Sequence, residues 1–312
     1  MTKPRILFMG TPAFSLPALR LLHEQSYPIA GVVTQPDRPK GRGLKEVAPP
    51  IKILAQELGL PVFQPDKVKD TSFMELLTKL NPEMIVVVAF GQILPENIID
   101  FPPLNCLNIH PSLLPRYRGA APMNWAIING EKKTGVTIML MDKGMDSGDI
   151  LLQEETLLGT AENYGELHDR LSQAGARLLL KTIGQITNGT ARRKQQDESG
   201  VTFAPRLTKE TGKINWNNKS SDIVNLIRGL SPTPTAHTSL DGLSLKIFMA
   251  EAQAGKVDHK PGTIGNVSAK GLPVAASDGY VILKDVQLAG KKRMLIADFL
   301  RGHHIDAGAV LQ

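Results

Sequence analysis

An amide and an imidazole two residues apart, Asn108 and His110, close the short apolar run 104–109. Side chains alternate along a strand, so these two emerge on one face. Pro111 stops the run, because it has no N–H for a ladder and biases His110 toward an extended conformation. Open parallel sheets bind ligands beyond the C-terminal ends of their strands. Placed there, Asn108 offers a neutral donor and His110 a group that can donate or carry a proton, a pairing suited to an oxyanion formed at a carbonyl under attack. A second polar turn, 141–149, follows another apolar run and carries Asp142, Asp146 and Asp149. Two other readings stand beside this one. Asn108 can cap a turn while His110 is a satisfied strand-end histidine; or His110, Asp146 and Asp149 can form a metal site, although no second histidine lies nearby in sequence.

The elements that must position these residues alternate in type. Strands are expected at 5–10, 29–34, 62–63, 84–89, 135–140 and 150–153, and helices after Ser15 and at 50–58, 72–80, 120–129 and 164–186, with Trp125 packing inward. The run 84–89 is continuously apolar and β-branched, the mark of a strand covered on both faces. Such alternation argues for a doubly wound α/β domain. The turn after the first strand, Gly10-Thr11-Pro12, lacks the Gly-x-x-Gly continuation of a dinucleotide fingerprint, so no nicotinamide cofactor is expected.

At 312 residues and 42% hydrophobic content the chain can bury a sizeable core and form two domains. Its single cysteine, Cys106, excludes an internal disulfide and a thiolate metal cluster, and is read as a core packing group. No leader pattern opens the sequence and no apolar stretch approaches the ~20 residues of a membrane span, so a cytoplasmic protein away from membranes is expected. A net charge of +6 admits a polyanionic partner without requiring one. The charge concentrates in 35–50, where Arg38, Lys40, Arg42 and Lys45 stand among four prolines and two glycines that disfavour regular structure. It is either a solvated surface loop or an arm that orders against RNA phosphates.

The strand-end Asn-x-His, the following Ser112-Leu113-Leu114-Pro115 and the distant Asp146 in a Gly-rich turn together resemble the 10-formyltetrahydrofolate-dependent formyltransferases, over essentially the whole chain. The resemblance implies a Rossmann-like doubly wound, mostly parallel sheet (the formyltransferase fold) followed by a small OB-like β-barrel. It implies a catalytic domain at 1–189, a linker at 190–208 whose polar, basic composition agrees, and a tRNA-binding barrel at 209–312. Asn108, His110 and Asp146 then correspond to the catalytic trio, with Asp146 holding the His110 ring. Ser112 to Pro115 form the folate-contacting loop, and Phe90, Gly91 and Ile93 line the pterin slot.

By the same likeness 10-formyltetrahydrofolate is the formyl donor, no metal is required and the acceptor is initiator methionyl-tRNA, with the protein acting as a monomer. The tRNA-directed branch carries a basic insertion after its second strand, which makes Arg42 the leading tRNA contact, with Lys40, Lys45 and Arg38 in support. A nucleotide sugar or glycinamide nucleotide as acceptor, hydrolysis of the donor, and folate or RNA binding without catalysis remain alternatives. One departure is visible: in 230–235 Ser231 and Thr233 stand where the family's Asn-Pro-Trp-Pro turn has Asn and Trp.

Overall fold

A computed structural model describes residues 2–40, 45–267 and 271–312. The chain divides into two compact units: Met1–Gly119, Thr134–Thr156 and His168–Phe203 form one, and Ala120–Lys133, Leu157–Leu167 and Ala204–Gln312 the other.

The first unit opens with β1 (Ile6–Gly10), α1 (Leu16–Glu24) and β2 (Ile29–Val33), followed by a short pair, β3 (Arg38–Lys40) and β4 (Lys45–Val47). Next come α2 (Pro50–Glu57), β5 (Val62–Phe63), α3 (Thr71–Leu80), β6 (Met84–Val88), α4 (Glu96–Ile99), β7 (Cys106–His110) and the two-residue β8 (Arg118–Gly119). The chain continues through α5 (Pro122–Ile128), β9 (Lys133–Leu140), β10 (Ile150–Leu157) and the long α6 (Tyr164–Thr187). Seven strands make one sheet in the order β10-β9-β7-β6-β1-β2-β5. The five from β5 to β7 are mutually parallel and β9 runs antiparallel to β7. This is the doubly wound, mostly parallel arrangement expected. Every residue of β1 and β6 is buried, which is why both read as unbroken apolar runs rather than alternating ones.

Strand order reverses between β1 and β6, the usual place for a ligand crevice. Here that point is bridged: Thr11 Oγ1 donates to the Phe90 carbonyl at 2.8 Å, and Gln35 Nε2 donates to the same oxygen at 3.3 Å. The polar chemistry lies one strand further along, at the end of β7.

β11 (Phe203–Ala204) falls at the division between the units, and the second unit continues with α7 (Ser220–Leu230), β12 (Ala236–Leu240), β13 (Leu243–Ala254), β14 (Leu272–Ala275), β15 (Gly279–Leu288), β16 (Met294–Leu295) and α8 (Ile296–Gly302). An antiparallel sheet, β12-β13-β15-β14 with β16 added to β15, packs Leu245, Ile247, Val281 and Leu283 against Ile223 and Ile227 of α7 and Phe299 of α8. Helix α5 belongs to this unit. Gly229 lets α7 approach it closely, because a Cβ there would lie 2.6 Å from Ile128 Cγ1 and 3.1 Å from the Asn124 carbonyl oxygen.

Two expectations change. Segment 35–50 is not wholly irregular, since Arg38 to Lys40 pairs in register with Val47 to Lys45. Trp125 does not point fully inward: it is half-buried and its indole N–H donates to the Pro205 carbonyl at 2.8 Å. The buried residue beside it is Asn124, whose amide donates to the Gly229 carbonyl at 2.7 Å; a polar side chain with its bond made can occupy the inner face that hydrophobicity assigns to a neighbour. The short stretches at 213–216 and 262–267 of the second unit form only isolated bridges among the described residues, at Lys213, Thr263 and Ile264. A short apolar stretch cannot reveal whether a partner strand runs beside it for one residue or five.

The α7 N-terminus is held by Asp278, whose Oδ1 accepts the Ser220 N–H at 2.7 Å. That backbone hydrogen bond lowers the Asp278 pKa below the ordinary carboxylate value. A carboxylate with a depressed folded-state pKa adds stability above its unfolded pKa and loses it as pH falls through the folded one. The stability difference between wild type and Asp278→Ala, followed by thermal unfolding, is expected to be present at pH 7 and to shrink as the solution is acidified below the ordinary aspartate range.

Candidate active site

β7 is fixed on both sides, with Asn108 opposite Val87 of β6 and Met139 of β9. Its alternation sets Asn108 and His110 on one face. Asn108 is half-buried, and among the described residues its carboxamide makes no hydrogen bond to another protein group. His110 is 3% exposed, and its Nε2 lies 3.0 Å from the Tyr117 carbonyl oxygen. A carbonyl only accepts, so Nε2 carries the proton of that bond. The other ring nitrogen, Nδ1, faces Asp146 Oδ2 at 3.6 Å. The carboxylate is itself anchored, because Oδ2 accepts the Gly119 N–H at 2.8 Å. The structure thus brings His110 and Asp146 together and leaves the Asn108 amide available on the same strand face. Cys106, on that strand, is buried among apolar side chains, and burial pushes its thiol pKa far up.

Asp146 adopts a left-handed backbone conformation, φ 51°. Its turn is stiffened on one side by Asp142, whose Oδ1 accepts from the Gly144 N–H at 3.0 Å and from Ser147 Oγ at 2.9 Å. On the other side Gly148 has no room for a side chain: a Cβ would stand 1.9 Å from the Leu140 carbonyl oxygen.

The loop after β7 is held by residues that sequence reasoning passed over. Thr137 Oγ1 donates to the Ser112 carbonyl at 2.6 Å, accepts the Leu114 N–H at 3.3 Å and accepts Gln153 Nε2 at 2.9 Å. Gln153 Nε2 also reaches the Leu114 carbonyl at 2.8 Å. Ser112 is fully buried and its hydroxyl donates to the Arg116 carbonyl at 2.6 Å, while Leu114 packs on Met139 and Ile150. Leu113 and Pro115 are half-buried and remain at the surface of this braced loop.

The segment after β6 is split in character. The Phe90 side chain is 2% exposed and sits in the core, whereas Gly91 is exposed at φ 90° and Ile93 is 93% exposed. Lys143 Nζ stands 3.8 Å from Glu96 Oε1, so the Asp146 turn and the start of α4 are neighbours.

Of the basic residues, Arg38 is exposed and Lys40 and Lys45 are paired through their backbones in the β3–β4 hairpin; Arg42 lies outside the described residues. The hairpin's base is anchored by Asp37, which accepts from Lys52 Nζ at 2.6 Å and Gln64 Nε2 at 2.7 Å, with its pKa lowered chiefly by the Lys52 bond. A separate open groove of about 640 Å³ along α1 and α6 shares no lining residue with the Asn108–His110–Asp146 set. Among the described residues no three His, Cys, Asp or Glu side chains are grouped to hold a metal ion, and no helix is long and apolar enough to cross a membrane.

Two family models match the sequence: formyl transferase over residues 4–183 and the formyl transferase C-terminal domain over residues 206–304. A protein of Syntrophus aciditrophicus (strain SB) described as methionyl-tRNA formyltransferase is 56% identical over 311 residues, covering 100% of both chains. Among solved structures, an N-formyltransferase from Helicobacter canadensis in complex with folinic acid and dTDP-3-aminofucose superposes with a TM-score of 0.68 at 19% identity, covering 94% of this chain and 100% of that one. HypX from Aquifex aeolicus in complex with tetrahydrofolic acid gives 0.66 at 17% identity, over 96% of this chain and 47% of that one. At such identities the structural matches speak for the fold.

Proposed function

We propose that this chain, which belongs to the formyl transferase family, transfers the formyl group of 10-formyltetrahydrofolate to the α-amino group of methionyl-tRNA. The observation that carries this reading is full-length 56% identity to a protein of that activity. The site geometry supports it. Attack of the amine on the formyl carbon makes a C–N bond and puts negative charge on the formyl oxygen, which needs a donor held in place beforehand. The Asn108 carboxamide, carried on a strand paired on both sides, is available as that donor.

Because the His110 Nε2–H is committed to Tyr117, the ring's remaining part in the reaction is at Nδ1, which can take the proton that the attacking nitrogen sheds. Asp146, 3.6 Å away, balances the positive charge that this uptake creates. Collapse of the intermediate breaks the bond to the folate nitrogen, which leaves with the proton that His110 Nδ1 took up, and no covalent enzyme intermediate is needed. The braced loop at Ser112, Leu113, Leu114 and Pro115, with the exposed Gly91 and Ile93 after β6, is read as the walls for the folate. The Phe90 side chain supports that wall from the core.

The test is to incubate the purified protein with 10-formyltetrahydrofolate and aminoacylated initiator tRNA. Formylmethionyl-tRNA is the expected product. Formate released equally with and without the tRNA would show a donor hydrolase instead.

The basic β3–β4 segment is read as the tRNA contact, Arg42 first, with Lys40, Lys45 and Arg38 beside it, and the C-terminal unit as a second tRNA-binding surface. Arg42→Ala is expected to raise KM for methionyl-tRNA with kcat little changed. It should also reduce the slope of log binding against log salt by about 1, as loss of one phosphate contact does. An unchanged slope removes Arg42 from the interface. The reading places the enzyme in the cytoplasm as a monomer.

A further inference from the structure

Gln196 lies in the polar stretch that composition marks as a connector, yet it is only 5% exposed and each polar atom of its carboxamide is used. Its Nε2 donates to the carbonyls of Asp146 and Gly148, both at 2.8 Å. Its Oε1 accepts from Arg118 Nε at 3.0 Å. The Arg118 guanidinium then grips Glu198 with two bonds, Nη2 to Oε1 at 2.7 Å and Nη1 to Oε2 at 3.3 Å. The residues flanking Arg118 touch the reacting pair directly, Tyr117 through its carbonyl on His110 and Gly119 through its N–H on Asp146. Thr202 of the same stretch closes the set, since its side-chain Oγ1 accepts the Tyr117 N–H at 2.9 Å and its carbonyl accepts the Arg118 N–H at 2.9 Å.

We propose that Gln196 is the positioning residue for the Asp146 carboxylate, bridging the two carbonyls of its turn, and that the Arg118–Glu198 pair holds the Gln196 amide in that task. The proposal rests on Asp146 acting behind His110. A non-glycine residue at φ 51° sits in a sparsely populated region and returns to an ordinary one unless its surroundings prevent it. One amide bonded to carbonyls two residues apart fixes the curvature of the turn, and with it the direction of the carboxylate. Arg118 supplies the buried charge that orients the amide, and Glu198, largely exposed, neutralises that charge from the solvent side.

Gln196→Glu tests this, because it keeps size and the Arg118 contact but replaces both donors with acceptors facing carbonyl oxygens. In the full-length protein kcat for formylation of methionyl-tRNA is expected to fall about 10²-fold, as a misplacement near 1 Å does, with KM for the tRNA unchanged. In an Asp146→Ala background the same change is expected to add no further loss, since it acts through the missing carboxylate. An unchanged kcat in Gln196→Glu, or an equal loss in both backgrounds, overturns the proposal. Asp146→Ala with wild-type kcat instead removes the catalytic reading of Asp146, a result legible in that single variant. Should Gln196→Glu not fold, Glu198→Gln at the exposed end of the chain of bonds takes its place. A smaller kcat loss that vanishes without Asp146 supports the proposal, and an unchanged kcat overturns it.

Discussion

Asn108→Ala is expected to lower kcat about 10²–10³-fold, the cost of removing one oxyanion donor in other enzymes, while leaving the melting temperature near wild type. The two halves of that expectation have one cause. Among the described residues the Asn108 carboxamide bonds to no other protein group, so truncating it leaves no buried partner unsatisfied. The strand beneath it is paired on both sides, which keeps the backbone in place. The loss therefore falls on the step in which negative charge gathers on the formyl oxygen. Asn108→Asp sharpens the point: size is kept, but a carboxylate beside a developing oxyanion repels it, and the loss is expected to exceed that of alanine. Rates at saturating donor and tRNA, with unfolding curves for each variant, make the measurement. An alanine variant with undiminished kcat would take the amide out of the chemistry.

The parts of this site that sequence discloses are those written in one stretch of chain. Asn108 and His110 share a face because a strand has period two, and Pro111 marks where that strand stops. The sheet is legible for the same reason: β1 and β6 are buried on both faces and so appear as unbroken apolar runs. What holds the site is otherwise encoded. Thr137 and Gln153 look like ordinary polar residues on two strands, and only the fold brings their side chains to the Ser112 and Leu114 carbonyls. Gln196 sits 50 residues from Asp146, in a segment whose composition announces only solvent exposure. Their bonds to the site go to backbone carbonyls, which every residue type possesses, so the residue types at 112, 114, 146 and 148 do not betray them. Arg118 stands two residues after Arg116 in the same loop, and sequence does not tell that Arg118 is buried while Arg116 is exposed, nor that the exposed Glu198 supplies its counter-charge.

Asp146→Asn is expected to cost about 10³ in kcat. The amide can still accept the Gly119 N–H through its oxygen, so the loop anchor at 2.8 Å survives. The negative charge is what disappears. When the attacking nitrogen gives its proton to His110, a unit charge appears on a ring whose Nδ1 lies 3.6 Å from the carboxylate. Two unit charges at that separation in a partly buried setting, with an effective dielectric near ~20, interact by about 4–5 kcal/mol. At about 1.4 kcal/mol per decade that is some three orders of magnitude in rate, felt only once the ring is charged. The expected value lies below the ~10⁴ seen where a triad aspartate makes a direct hydrogen bond to its histidine, in keeping with the longer separation here. KM for both substrates should stay near wild type, because neither is charged or discharged on binding. Single-turnover formylation of methionyl-tRNA isolates the step. A loss smaller than tenfold there would mean that the carboxylate does not balance charge at His110, and that the ring's contribution ends at its bond to Tyr117.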